Sequence, residues 1–232
     1  MKPKITIACV LVFCLGVVLF ANASISKKPA SAQPYVVTYL VTKGKANGTK
    51  EPSAVYIRAV KATGEWKETR YGFDGHTTIR SATADAQYSM IPGDSSLQYE
   101  SKYSLEKETY FHSGSFLESH PQFARRETIL GLTTYVLHGG NADQYMETSY
   151  APECGATPLR VLLHNSGDET TIEAIRVEFR EVSEREASLP DLPTHFDQAE
   201  QKVDILRTNG LSDQADGLSR GIKEAKTAAK DK

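Results

Sequence analysis

The stretch TSYAPECGATPLR, residues 148–160, carries the cysteine best placed to do chemistry, Cys154. A thiol becomes a nucleophile when its pKa is lowered and a base, usually histidine, stands within hydrogen-bond reach. Here Glu153 is adjacent, and a neighbouring carboxylate raises a thiol pKa instead. No helix is expected to begin at Cys154, so no helix dipole offsets that effect. His138 and His164, on neighbouring predicted strands, are the bases that folding could bring near. Pro152 and Pro158 cannot donate ladder hydrogen bonds and belong at strand ends, and Gly155 supplies a backbone conformation that other residues resist. The stretch therefore reads as a tight connection between strands, with Cys154 as a small packed residue. Redox sensing and intermolecular pairing are the remaining uses for the thiol.

The six histidines, 76, 112, 120, 138, 164 and 195, show no H-x-x-x-H or H-E-x-x-H spacing. A zinc site would need ligands converging from distant strands. His112 and His120 are the metal candidates, with solvated polar positions as the simpler expectation. Neither a nucleophile elbow, a P-loop nor a dinucleotide fingerprint occurs, and GSFLES around Ser115 does not match an elbow. The sequence assigns no catalytic residue, no metal ligand and no cofactor, and the chain is read as a non-enzyme.

These residues sit in a chain of 232 residues, 40% apolar and 24% charged, with a formal charge of −2. That is ordinary globular composition. Charges of both signs are interspersed, and no basic stripe suggests nucleic acid. The N-terminus has the order of a secretory signal: Lys2 and Lys4, the apolar run Ile5 to Phe20, then Ala21 and Ala23 at an A-x-A site. The 16-residue run is short for a membrane span, which needs about 20 residues, so an uncleaved anchor is the alternative. Loss of residues 1–23 leaves 25 basic and 29 acidic residues, a charge of −4. Cys9 and Cys14 lie inside the run, and their surroundings do not fit lipidation. The mature chain keeps Cys154 alone and forms no internal disulfide.

Residues 24–34 read as a polar linker. From Tyr35 the hydrophobic period becomes two. YVVTYLVT opens a strand, Asn47-Gly48 marks a hairpin, and in AVYIRAVKA the residues Val55, Ile57 and Ala59 alternate against Tyr56 and Arg58. Strands continue through EWKETRYGF, DGHTTIRSAT and the pair around Pro92-Gly93-Asp94. They return after Gly131 as LTTYVLHG, QYMETSYA, PLRVLLHN and TTIEAIRVEFREV. Strands every 8 to 12 residues with turn chemistry between them indicate an all-β domain. Residues 104–131 lack clean alternation and read as a short helix or a long crossing loop. In the last strand Glu173, Ile175, Val177 and Phe179 form the more apolar set and are expected on the buried side. Ile172, Ala174, Arg176 and Glu178 are expected in water. Thr194 and Asp197 suggest a weak capping box. Phe196, Ala199, Val203 and Leu206 recur at helical spacing up to Asn209-Gly210. A second helix from Ser212 carries a narrow seam of Leu211, Ala215, Leu218, Ile222, Ala225 and Ala229, expected to lie on the chain's own sheet. Thirteen aromatic residues fall between Tyr35 and Phe123; they fill a core, or line a cavity on the concave side of a curved sheet.

The blocks ETILGLTTYVLHGG, METSYAPECGATPLRVLL and IEAIRVEFREVSEREASLPDLPTHF carry a resemblance. They are similar to exported bacterial proteins of unknown function whose fold is like the outer-membrane lipoprotein carrier and its receptor, the LolA/LolB-like half-barrel. The likeness covers roughly the last third of the sheet, and its motifs are strand and turn punctuation. It implies a curved antiparallel sheet enclosing an apolar cavity, with helices across the opening. The carriers usually place a helix directly after the signal, whereas here a polar linker leads into a strand.

The expectation is thus a mainly β chain, a curved antiparallel sheet or half-barrel with C-terminal helices. Its segments are 1–23 (signal or anchor), 24–34 (linker), 35–193 (β domain) and 194–232 (helical segment). Its expected work is non-enzymatic binding of a lipid or other apolar ligand in the concave face, in the periplasm or on the outer face of the inner membrane. The alternative is a scaffold with a filled cavity, binding an envelope protein through its C-terminal helices or sheet edge. Contact with the membrane runs through the N-terminal segment if it is uncleaved.

Overall fold

A computed structural model describes residues 33–44, 49–83, 86–102, 117 and 125–230. The signal segment, most of the linker, the Asn47-Gly48 turn, His112, Ser115 and His120 lie outside the described residues.

Alternating apolar and polar residues give strands β1 (Tyr35–Gly44), β2 (Lys50–Val60), β3 (Trp66–Gly72), β4 (Thr77–Ala82), β5 (Ala86–Met90) and β6 (Leu97–Lys102). The second series is β7 (Arg125–Ile129), β8 (Leu132–Gly140), β9 (Gln144–Tyr150), β10 (Pro158–Asn165), β11 (Asp168–Phe179) and the short β12 (Thr194–His195). Three C-terminal helices are described: α1 (Glu184–Ala187), α2 (Asp197–Thr208) and α3 (Ser212–Lys230). The twelve described strands make one sheet in the order β12-β6-β5-β4-β3-β2-β1-β11-β10-β9-β8-β7. Every neighbouring pair is antiparallel except β12 with β6, where Thr194 and His195 lie parallel to Leu97 and Gln98. The two hairpin runs join through β1 and β11, so β1 sits mid-sheet, and its Tyr35, Val37, Tyr39 and Val41 are buried.

β7 falls in the stretch where a helix or loop was expected. Its sequence RRETI hides the alternation behind two arginines, and β7 forms the edge of the sheet. Charged side chains are what keep an open edge from pairing with other chains. The turn to β8 is Leu130-Gly131, both at positive φ (51° and 82°), the backbone of a two-residue hairpin.

The sheet curls. Residues of β4 and β10 line one cleft of about 300 Å³, although five strand spacings separate them, about 24 Å in a flat sheet. On the concave side lies the main core, with Tyr35, Val37, Tyr39, Val60, Trp66, Leu159 and Ala174 packed together with Cys154. On the other side α2 and α3 form a hairpin against β5 and β6. Phe196, Ala199, Val203, Leu206, Ala215 and Ile222 bury themselves around Ala86 and Tyr99, with Leu211, Leu218 and Ala225 packed on them. At Gly221 an added Cβ would stand 2.7 Å from the Tyr99 hydroxyl, so α3 approaches the sheet as closely as a glycine allows. The expected helical seam from Leu211 to Ala225 is therefore turned onto the chain's own sheet.

Two local expectations change. Thr194 lies in β12 and does not cap a helix; α2 starts after Phe196 with no side-chain cap. The capping box is instead at α1, where Ser183 and Glu186 bond each other's backbone N–H. In β11 the alternation breaks: Thr38 pairs with Arg176, but Tyr39 pairs with Ala174. Ile175 is the extra residue of a β-bulge, and a bulge reverses which parity faces inward. Ile172 and Ala174 before it and Val177 after it therefore share the core side, while Ile175 is 52% exposed.

Candidate functional site

The 3-10 turn Pro152–Cys154 is held against the concave core. The Tyr35 hydroxyl donates to the Cys154 carbonyl at 2.6 Å, and the Tyr39 hydroxyl to the Pro158 carbonyl at 2.8 Å. Gly155 sits at φ 55° and ψ −134°, a backbone state outside the left-handed helical well that glycine tolerates best. The Cys154 side chain is fully buried. Burial first, then the Glu153 charge, push its thiol up to about 12. Neither histidine reaches it. His164 is six residues along β10 from Pro158, about 20 Å away. His138 lies three residues beyond Tyr135, the partner of Tyr150, and on the opposite face. The two histidines instead flank Tyr145, with ring centroids 5.4 and 4.8 Å from it, and His138 Nδ1 lies 3.2 Å from Glu147.

Cys154 is thus expected to resist a disulfide reagent such as DTNB at pH 8 in the native protein and to react stoichiometrically in denaturant. Fast labelling of the folded chain would contradict its burial. The folded state keeps the thiol proton to about pH 12, while an unfolded thiol loses it near 9.0. This group's contribution to stability is therefore complete below pH 9 and is lost as pH rises toward 12.

Of the other histidines, His76 is exposed and His195 Nδ1 is 4.0 Å from Asp197. Among the described residues no cluster of three or more His, Cys, Asp or Glu side chains is placed to hold a metal. No described helix is long and apolar enough to cross a membrane.

The concavity lies on the same face as the core, and its lining is mixed. Tyr39, Pro158, Val161 and Ile172 form an apolar wall; Tyr56, Arg58, Glu68, Arg70, Thr78 and Arg80 form the other. The register places these residues in rows. Val37 opposes Arg58, Arg58 opposes Glu68, and Glu68 opposes Arg80; Tyr39 opposes Tyr56, Tyr56 opposes Arg70, and Arg70 opposes Thr78. The expected split of β2, with Val55, Ile57 and Ala59 as its apolar set, is therefore only half of the pattern. Arg58 points into the concave side with its side chain 20% exposed, and Ile57 on the outer side is 38% exposed. Arg58 is tolerated there because its Nη2 lies 2.7 Å and its Nε 2.9 Å from Glu68, and its guanidinium stacks 4.4 Å from the Trp66 ring centroid. Burial by itself would lower the pKa of Arg58; Glu68 reverses this and the net shift is upward. Burial also raises the Tyr39 phenol, so it remains a neutral donor. Arg80 is engaged by Glu100 at 2.6 Å, which also accepts from Gln87 at 2.9 Å. The arrangement offers hydrogen-bond donors and positive charge beside aromatic and aliphatic surface. It presents no activated nucleophile.

The sequence pointed to aromatics at a concavity and missed the arginines. Their signal was the shared parity of Tyr56 with Arg58 and of Trp66 with Glu68 and Arg70, readable only once the hairpins had been paired.

No family model and no curated protein matches the chain. Solved structures do. A LolA superfamily protein from Nitrosomonas europaea is 11% identical over 71% of this chain and 94% of its own, with a TM-score of 0.39. An uncharacterized conserved protein from Thermus thermophilus is 9% identical over 82% and 99%, at 0.44. The lipoprotein LppX from Mycobacterium tuberculosis is 12% identical over 64% and 88%, at 0.30. A LolA superfamily protein thus stands among the structures this chain is similar to, the family that the motifs between Glu127 and Phe196 resemble. At these identities and scores no ligand, partner or residue role passes from them to this chain.

Proposed function

We propose that this chain is a non-enzymatic exported protein of the bacterial envelope that binds a lipid-like or other apolar ligand in the concave face of its sheet. Residues 1–23 act as its signal or anchor, and residues 24–34 link that segment to the β domain of 35–193, to which the helical segment 194–232 is attached. The observation that supports this reading is the cleft of about 300 Å³ beside Tyr39, Val161 and Ile172. Helices α2 and α3 pack on the other face at β5 and β6, so they do not fill it. Its volume lies at the small end of ligand sites, about 300–1,000 Å³. It suits one end of an elongated molecule better than a whole one.

The test is native mass spectrometry of the protein purified from envelope extract without a delipidation step. A bound apolar species released on collisional activation is the expected result. Bare protein in every preparation would overturn the reading.

A further inference from the structure

We propose that the ligand of this cleft carries an anionic head, a carboxylate or a phosphate, and that Arg70 is the residue that binds it. The proposal rests on the reading of the cleft as a ligand site and adds the chemistry of what enters it. Three guanidinium groups and one carboxylate line the cleft. Arg58 is satisfied by Glu68 and Arg80 by Glu100. Arg70 stands between them on β3, and among the described residues no carboxylate forms an ion pair with it; its charge reaches the exposed Asp74 only at longer range. Its guanidinium carbon lies 5.7 Å from the Tyr56 ring centroid, and its Nε is buried with no hydrogen-bond partner.

A buried donor left unsatisfied is a cost that native proteins rarely carry. A guanidinium is a planar fork that matches a carboxylate or phosphate with two parallel bonds. Tyr56 holds Arg70 from one side by its ring face, which fixes the direction of the fork without neutralising its charge. Thr78, opposite Arg70 on β4, adds a hydroxyl at the same row. The row that continues through Tyr56 to Tyr39 leads onto the apolar wall of Val161 and Ile172. An amphiphile with its head at Arg70 and its chain along that wall meets each surface with its own kind. A neutral lipid would leave Arg70 unpaired, and an inorganic anion would leave the wall unused.

Three probes of equal chain length test this by isothermal titration calorimetry on the full chain: decanoate, decyl phosphate and decanol. The expected result is that at least one of the two anions binds about tenfold or more tightly than decanol, as charged hydrogen bonds provide. The anion that binds more tightly identifies the head as carboxylate or phosphate. Arg70→Gln should remove that preference, so that the anions bind no more tightly than decanol; Arg70→Lys, which keeps the charge, should retain part of it. Unchanged thermal melting of both variants separates lost binding from lost folding. If all three probes bind alike, and Arg70→Gln changes nothing, the anionic head is wrong while the apolar site stands. If none of the three binds, the ligand-site reading falls together with it.

Discussion

Glu68→Ala is expected to lower the unfolding free energy by about 3–5 kcal/mol, the usual cost of leaving a buried charge without its partner. Glu68 and Arg58 are 10% and 20% exposed at their side chains, and Glu68 accepts from both Nη2 and Nε of Arg58. Without that carboxylate the guanidinium stays over Trp66, a contact worth about 0.5–2 kcal/mol, too little to offset its desolvation. The pair itself need not stabilise the fold. Its attraction and its desolvation nearly cancel, so replacing both partners by apolar residues is expected to cost far less than replacing one. Urea unfolding of Glu68→Ala and of the double variant Arg58→Met with Glu68→Leu separates the two effects. A double variant as unstable as the single one would mean that the damage lies in packing around Trp66 and not in the orphaned charge. The same experiment bears on the cleft, because Arg58 and Glu68 form part of its lining and neutralise each other there. They leave the net positive charge to their neighbours.

The element order was readable because local chemistry and global fold agree. Gly64, Asp74-Gly75, Pro92-Gly93 and Ser166-Gly167 punctuate the chain at the hairpin turns, and every strand predicted among the described residues is present. APECG was legible as a connection for the same reason. What could not be read was that this connection folds down onto the concave core, because hydrogen bonds from Tyr35 and Tyr39 span 119 residues of sequence. Faces were harder than strands. A rule that puts apolar residues inside works where a sheet has one dry and one wet side. Here the concave side carries Arg58, Glu68 and Arg70 in rows with Tyr39 and Tyr56, and the outer side carries Ile57. Charged residues inside a curl obey pairing across strands, and that information is absent from any one strand. β7 was legible only through the ETILG motif of the resemblance and not through its own periodicity, because an edge strand rich in charge loses the apolar alternation that marks other strands.

The bulge at Ile175 gives the sharpest contrast between pattern and structure. Strict alternation along TTIEAIRVEFREV buries Ile175 and puts Ala174 in water; the observed register does the reverse, with Ala174 3% exposed opposite Tyr39 and Ile175 52% exposed. Ala174→Glu would place a carboxylate against Tyr39 and Leu159 in the main core. Burying an ionised group there without a partner is costly enough that the chain either shifts its pKa or fails to fold. The expected loss is about 3 kcal/mol or more, seen as a collapse of the urea midpoint. Ile175→Glu changes an exposed bulge position and is expected to stay within about 0.5 kcal/mol of the parent. The opposite ranking, with Ile175→Glu the worse of the two, would restore the unbroken alternation and remove the bulge. Because that extra residue keeps Ile172 and Val177 on one side of the sheet, the ranking also tests whether Ile172 faces the cleft at all. The apolar wall opposite Arg70 depends on a one-residue irregularity near the middle of β11.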